Sequence, residues 1–208
     1  MSKSKMNLPN KLTVLRILLV PVFVVIMMLP ATALNPIVSG IVGVTIFIVA
    51  SITDMLDGKI ARKHHLVTDF GKLMDPLADK FMVIGALTVI VYRYDNLRPV
   101  FIWALLLVVF RELAVTSIRL VAASSREQVV IPANMLGKIK TVMQIVCICT
   151  AIIEPLLYQI PFLHDLLPVW WITWVPLTYT TCALMMIFTV WSGINYIVSS
   201  WKYLDPEK

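Results

Sequence analysis

Four aspartates stand where this chain has least use for charge: Asp54 and Asp57 close one apolar run, and Asp75 and Asp79 open the next. Spacings of three and four bring each pair onto one face of a helix, about 60° and 40° apart at ~100° per residue. Like charges gathered in partly dry surroundings repel, and take up protons unless something compensates them. Divalent cations do so. Carboxylate oxygens without His or Cys partners suit Mg²⁺ or Mn²⁺, and a tight cluster of Asp54, Asp57, Asp75 and Asp79 could hold two such ions and clamp a phosphoryl group in transfer. Gly58, directly after Asp57, removes a side chain where a ligand could approach. Arg62, one turn later, offers a phosphate fork, and Gly71 opens space four residues before Asp75. His64 and His65 are adjacent and face different directions, which makes them headgroup-level loop residues rather than ligands. Other readings stay open: a proton or cation transport site, or single acids paired with Lys59, Lys72 or Lys80.

The elements that must position these residues follow from composition. Of 208 residues 59% are hydrophobic and 14% charged, against about a quarter charged in a soluble domain. Lipid must therefore be part of the solvent. The expected fold is all-α and polytopic, one membrane domain over residues 1–208, with six transmembrane helices around a cytoplasm-facing polar cavity. Six stretches reach the ~20 residues needed to cross a bilayer: Leu12–Leu29, Pro36–Ala61, Phe70–Tyr92, Pro99–Ala123, Met135–Leu157 and Val169–Trp201. The amino end resembles a secretory signal, but Arg16 interrupts the start of its apolar run and five more spans follow. Cys147, Cys149 and Cys182 all lie in apolar runs and read as small buried side chains.

A net charge of +6 fits anionic headgroups and cytoplasmic loops better than nucleic acid, and no nucleic-acid partner is expected. Lys3, Lys5, Lys11, Arg62, Lys63, Arg126, Lys202 and Lys208 all fall at one side of the predicted spans, which puts both termini in the cytoplasm. Trp170, Trp171 and Trp174 then fall at the outer aromatic belt.

Basic residues recur inside the later spans. Arg111 lies roughly 18 Å along the fourth span from Pro99 at ~1.5 Å per residue, near mid-membrane, where an unpaired guanidinium is costly. Glu112, its neighbour in sequence, is expected to point elsewhere and not to neutralise it side-on. Arg119 falls on nearly the same face, and Lys138 and Lys140 open the fifth span. A structural ion pair for Arg111 and a positive-inside collar for the lysines are the plain readings. Together, Arg111, Arg119, Lys138 and Lys140 look like a positive pocket for a phosphorylated second substrate, which neutral choline or serine would not need. Asn10, Thr13 and Arg16 read either as cap and first-turn polar groups or as part of the site.

The pattern D-x-x-D-G-x-x-A-R, followed eight residues later by G-x-x-x-D-x-x-x-D, is met by Asp54, Asp57, Gly58, Ala61, Arg62, Gly71, Asp75 and Asp79 without departure. It resembles the signature of the CDP-alcohol phosphatidyltransferases, and the segments around Arg16, Arg111 and Lys138 resemble the bacterial members that use glycerol 3-phosphate. The resemblance implies an integral protein of the bacterial cell membrane, CDP-diacylglycerol as donor, glycerol 3-phosphate as acceptor and membrane lipids as surroundings. It also implies a di-metal centre on the four aspartates, with Asp79 as general base. By the same resemblance Gly58 and Arg62 contact the nucleotide diphosphate, Thr68 assists, and Asn10 and Thr13 line the nucleotide end. A homodimer is plausible on this ground alone. An acceptor such as inositol phosphate is the alternative within the family.

Overall fold

The computed structural model describes residues 7–63, 68–124 and 135–201; within them the side chains of residues 57, 59, 61–63, 72, 123 and 124 lie outside the description. Among the described residues there are eight helices and no strand: α1 (Leu8–Met28), α2 (Pro36–Lys63), α3 (Asp69–Arg93), α4 (Arg98–Ser124), α5 (Met135–Leu157), α6 (Pro161–Leu166), α7 (Val169–Trp174) and α8 (Pro176–Ser200). Asn7 caps α1 by accepting from the Asn10 amide at 3.2 Å, with Pro9 in the first turn, where its missing N–H costs nothing. Thr68 caps α3 in the same way, and Asp69 and Arg93 complement the dipole at its two ends.

α1 packs on α2 and α3, α5 on α8, and α4 on both α3 and α8, while α2 and α3 each also meet α5. One core runs through this arrangement and includes Phe47, Leu87, Ile90, Phe101, Ile148 and Met185. The opposite faces are equally apolar: Leu18, Trp103, Phe110, Ile187 and Val198 are all exposed. In water such surfaces would be an aggregation hazard; in a bilayer they meet hydrocarbon.

Among the described residues five stretches are long and apolar enough to cross a membrane: Leu8–Met28, Pro36–Leu56, Arg98–Ala122, Met135–Leu157 and Val169–Ser200. α3 has 25 residues but carries Asp69, Asp75, Asp79 and Lys80, so composition alone does not qualify it. The chain is an integral membrane protein by these helices.

The expected last span, Val169–Trp201, is divided. Val175 takes a left-handed conformation (φ 39°) between α7 and α8. Pro176 explains the break: its ring disfavours the α region for the residue before it and it has no N–H to continue the ladder. Buried Glu154 of α5 caps the new helix start. Its carboxylate accepts from the amides of Leu177 (3.2 Å) and Thr178 (2.7 Å) and from the Thr178 hydroxyl (2.7 Å). The Tyr158 hydroxyl donates to it as well. The donors at the start of a helix otherwise lack partners, so this one carboxylate joins α5 to α8 at the end of the bundle away from the aspartates.

Replacing Glu154 with Leu should strand these donors at a cost of about 2 kcal/mol or more. Thermal unfolding of the purified protein should show a clear drop for Glu154→Leu and a smaller one for Glu154→Gln.

Candidate active site

Three positions of α1, each three residues from the next, face the paired helices. Asn10, Thr13 and Arg16 are all buried, Arg16 completely. Asn7 does the capping, which leaves Asn10 free to accept the Thr68 hydroxyl at 3.0 Å, while Thr68 accepts the Gly71 amide at 3.1 Å. Thr13 donates to Oδ1 of Asp75 at 2.6 Å. Arg16 pairs with Asp54 at 2.6 Å. The close approach at Gly71 is real: a Cβ there would come within 3.2 Å of Asn10 Oδ1 and 3.4 Å of Thr68 Oγ1. Glycine thus lets the capped start of α3 lie against α1.

Asp54 from α2 and Asp75 and Asp79 from α3 are all half-buried. They interact through their charges: Asp75 acts on Asp54, and Asp54 acts on Asp79. Arg16 acts on both Asp54 and Asp79, so one fully buried guanidinium offsets part of the repulsion. Oδ1 of Asp79 is buried and makes no hydrogen bond. Gly58 lies half-buried in α2. The side chains of Asp57 and Arg62 lie outside the described residues. Among the described residues, no three acidic, His or Cys side chains are grouped as a metal site; the fourth carboxylate of the expected set is not among those described.

The basic residues are organised by a group that sequence reading set aside. Glu112 pairs with Arg111 at 3.0 Å and also receives Lys140, which is buried. The expectation that Glu112 could not neutralise Arg111 is therefore wrong. Neighbouring helix positions diverge by ~100° at Cα, but both side chains are long enough to converge beyond the helix surface. Arg111 also donates to Ser192 of α8 at 2.7 Å, and its stem lies over Gly193, where a Cβ would come within 3.3 Å. Arg119, exposed, donates to the Tyr196 hydroxyl at 3.2 Å with its guanidinium over the ring. Both arginines thus meet α8, as a shared face requires. Lys138 is exposed.

Lys140 and Glu112 share a narrow polar cleft with Asp79, and their charges act on it. The structure brings the two halves of the expected site together through Lys140. Arg111 joins by way of Glu112, while Arg119 and Lys138 are outside that cleft. Lys80 also lines it and donates to Thr116 of α4 instead of to an acid.

A sequence profile of the CDP-alcohol phosphatidyltransferases matches residues 6–191. The chain belongs to the CDP-alcohol phosphatidyltransferase family. It is 40% identical over 209 residues to the CDP-diacylglycerol–glycerol-3-phosphate 3-phosphatidyltransferase of Bacillus subtilis, covering 97% of this chain and 98% of that protein. Proteins of the same name from Rickettsia typhi (39% over 138 residues, 66% of this chain and 71% of that one) and Pseudomonas fluorescens (30% over 206 residues, 97% and 94%) are also similar. The matched range takes in α1 and the acidic residues of α2 and α3 that it braces from the side.

Glu112, Gly193 and Gln144, a buried residue of the same cleft, were not singled out as site residues from sequence. Arg16 reads with Asn10 and Thr13 as either a first-turn polar group or part of the site, and it faces the acidic helices. For Glu112 it was length of side chain, not position, that decided.

Removing the α1 cation should expose the repulsion it offsets. Arg16→Met should lower stability by about 2 kcal/mol, less than for a fully buried pair because Asp54 is partly exposed. Adding Asp54→Asn should return most of the loss in a thermal double-mutant cycle. Equal losses that simply add would rule out the coupling.

Proposed function

We propose that this chain transfers a phosphatidyl group from CDP-diacylglycerol to the primary hydroxyl of sn-glycerol 3-phosphate, giving phosphatidylglycerophosphate and CMP. One observation carries the reading: an unpartnered, buried Asp79 oxygen sits in the cleft that also holds Lys140 and Glu112. A proton acceptor and an anion-attracting group are thereby side by side. The names of relatives that match nearly the whole chain agree with it.

In this reading α3 joins the five apolar spans, giving six transmembrane helices around a polar cavity open to the cytoplasm, with both termini on that side of a bacterial cell membrane. Asp75, Asp79 and Lys80 of α3 are tolerated because they face other helices rather than lipid: Thr13 donates to Asp75, Thr116 accepts from Lys80, and Arg16 acts on Asp79.

Asp79 Oδ1 takes the proton from the primary hydroxyl of glycerol 3-phosphate. The hydroxyl oxygen then attacks the lipid-side phosphorus, and the phosphoanhydride bond to CMP breaks. Lys140 and Arg111, held through Glu112, draw the acceptor's phosphate, and Arg119 and Lys138 add positive charge nearby. Asn10, Thr13, Thr68, Gly58 and Arg62 line the donor's nucleotide end. Asp54, Asp57, Asp75 and Asp79 would hold two divalent ions, Mg²⁺ or Mn²⁺; the all-oxygen donor set fits such ions. When bound, they would neutralise charge on the diphosphate and on departing CMP. The acyl chains stay in the bilayer throughout.

Purified protein given CDP-diacylglycerol should release CMP only when glycerol 3-phosphate is added, and a chelator should stop it. Release with inositol phosphate but not with glycerol 3-phosphate would reassign the acceptor. Asp79→Asn should reduce turnover by at least about a hundredfold; normal turnover would remove Asp79 as the base.

A further inference from the structure

Two buried polar atoms in one cleft lack partners, and they are of opposite kind. Oδ1 of Asp79 accepts no hydrogen bond, and the amide nitrogen of Gln144 donates none. Both residues line the cleft between α3, α4 and α5, and Gln144 is 1% exposed. Buried amide donors are ordinarily satisfied, and leaving one bare costs stability.

The position of Gln144 sharpens the question. It lies one helical turn beyond Lys140, as Val83 lies one turn beyond Asp79 and Val108 one turn from Glu112. The rim of the cleft is charged, while its floor is built of apolar side chains with Gln144 as the exception. Lys140 and Glu112 hold each other at the rim. Nothing described at the floor receives the Gln144 nitrogen. A Met or Leu would pack there without stranding a donor; the side chains close around the amide in this structure, and a hydroxyl entering as they part would satisfy it.

We infer that Gln144 reads the acceptor alcohol, donating its amide N–H to the secondary hydroxyl next to the primary hydroxyl that Asp79 deprotonates. The inference rests on the transferase reading above. A carboxylate oxygen and an amide N–H in one cleft match a vicinal pair of hydroxyls, one giving its proton and the other accepting a hydrogen bond. The acceptor's phosphate then lies toward Lys140 at the rim. Sites built to hydrogen-bond a substrate hydroxyl discriminate strongly against analogues that lack it, because the protein group is left bare. Gln144 is on this account a specificity-determining residue, whereas Asp79 does the chemistry.

The test compares glycerol 3-phosphate with 3-hydroxypropyl phosphate, which differs only in lacking the secondary hydroxyl. CMP release from CDP-diacylglycerol is measured for the wild type and for Gln144→Met, a near-isosteric change that removes the donor. The wild type should favour glycerol 3-phosphate in kcat/KM by about tenfold or more. Gln144→Met should lose that preference: its kcat/KM for glycerol 3-phosphate should fall to that for the analogue, and the analogue's own value should stay within about twofold of wild type. Equal use of both acceptors by the wild type, or an undiminished preference in Gln144→Met, overturns the inference while leaving the transferase reading intact. The wild-type comparison needs no variant, so equal use of the two acceptors overturns the inference even if Gln144→Met does not fold. Absence of CMP from the wild type with either acceptor defeats the transferase reading, and the inference falls with it.

Discussion

Carboxylates brought together in a medium of low dielectric repel one another, and everything else near this site is arranged around that cost. Asp54, Asp75 and Asp79 come from two helices whose apolar neighbours leave little water for screening. The compensation comes from the side. α1 turns three polar positions toward them: Thr13 gives Asp75 a proton donor, Arg16 gives Asp54 a cation, and Asn10 holds the Thr68 cap from which α3 begins. A helix that reads as an ordinary apolar span is in fact the brace for the acidic pair of helices.

The same logic operates with opposite sign across the cleft. Arg111 and Lys140 are both poorly solvated, and Glu112 pairs with both at once. Removing either cation would strand part of the cluster, because a buried charge without its partner costs far more than the pair contributes. The arrangement also fixes where positive charge faces Asp79. Lys140 reaches the cleft, while Arg111 is tied back to α8 through Ser192. In the proposed reaction an acceptor phosphate would meet positive charge that is already in place.

Burial of Glu154 serves fold rather than chemistry. It closes the start of α8 at the other end of the bundle, where Pro176 interrupts what sequence reads as one continuous span. The helix that this cap starts also carries Ser192 and Tyr196, which receive Arg111 and Arg119. Two acids, half-buried Glu112 and buried Glu154, thus do structural work in a chain whose aspartates attract attention first.

Much of this protein is legible in the one-dimensional chain. Apolar runs of bilayer length, a shortage of charge and aspartates at helical spacing are local properties, and local properties determine the helices and which residues share a face. The signature around Asp54 to Asp79 is local too, so the family follows from it. What the chain could not decide alone is partnership. Whether Asn10 caps α1 or meets Thr68, whether Glu112 turns to Arg111, and whether Gln144 ends bare in a cleft all depend on how helices far apart in sequence are set against each other. Those choices are made by packing and by the reach of flexible side chains, and neither is written in spacing.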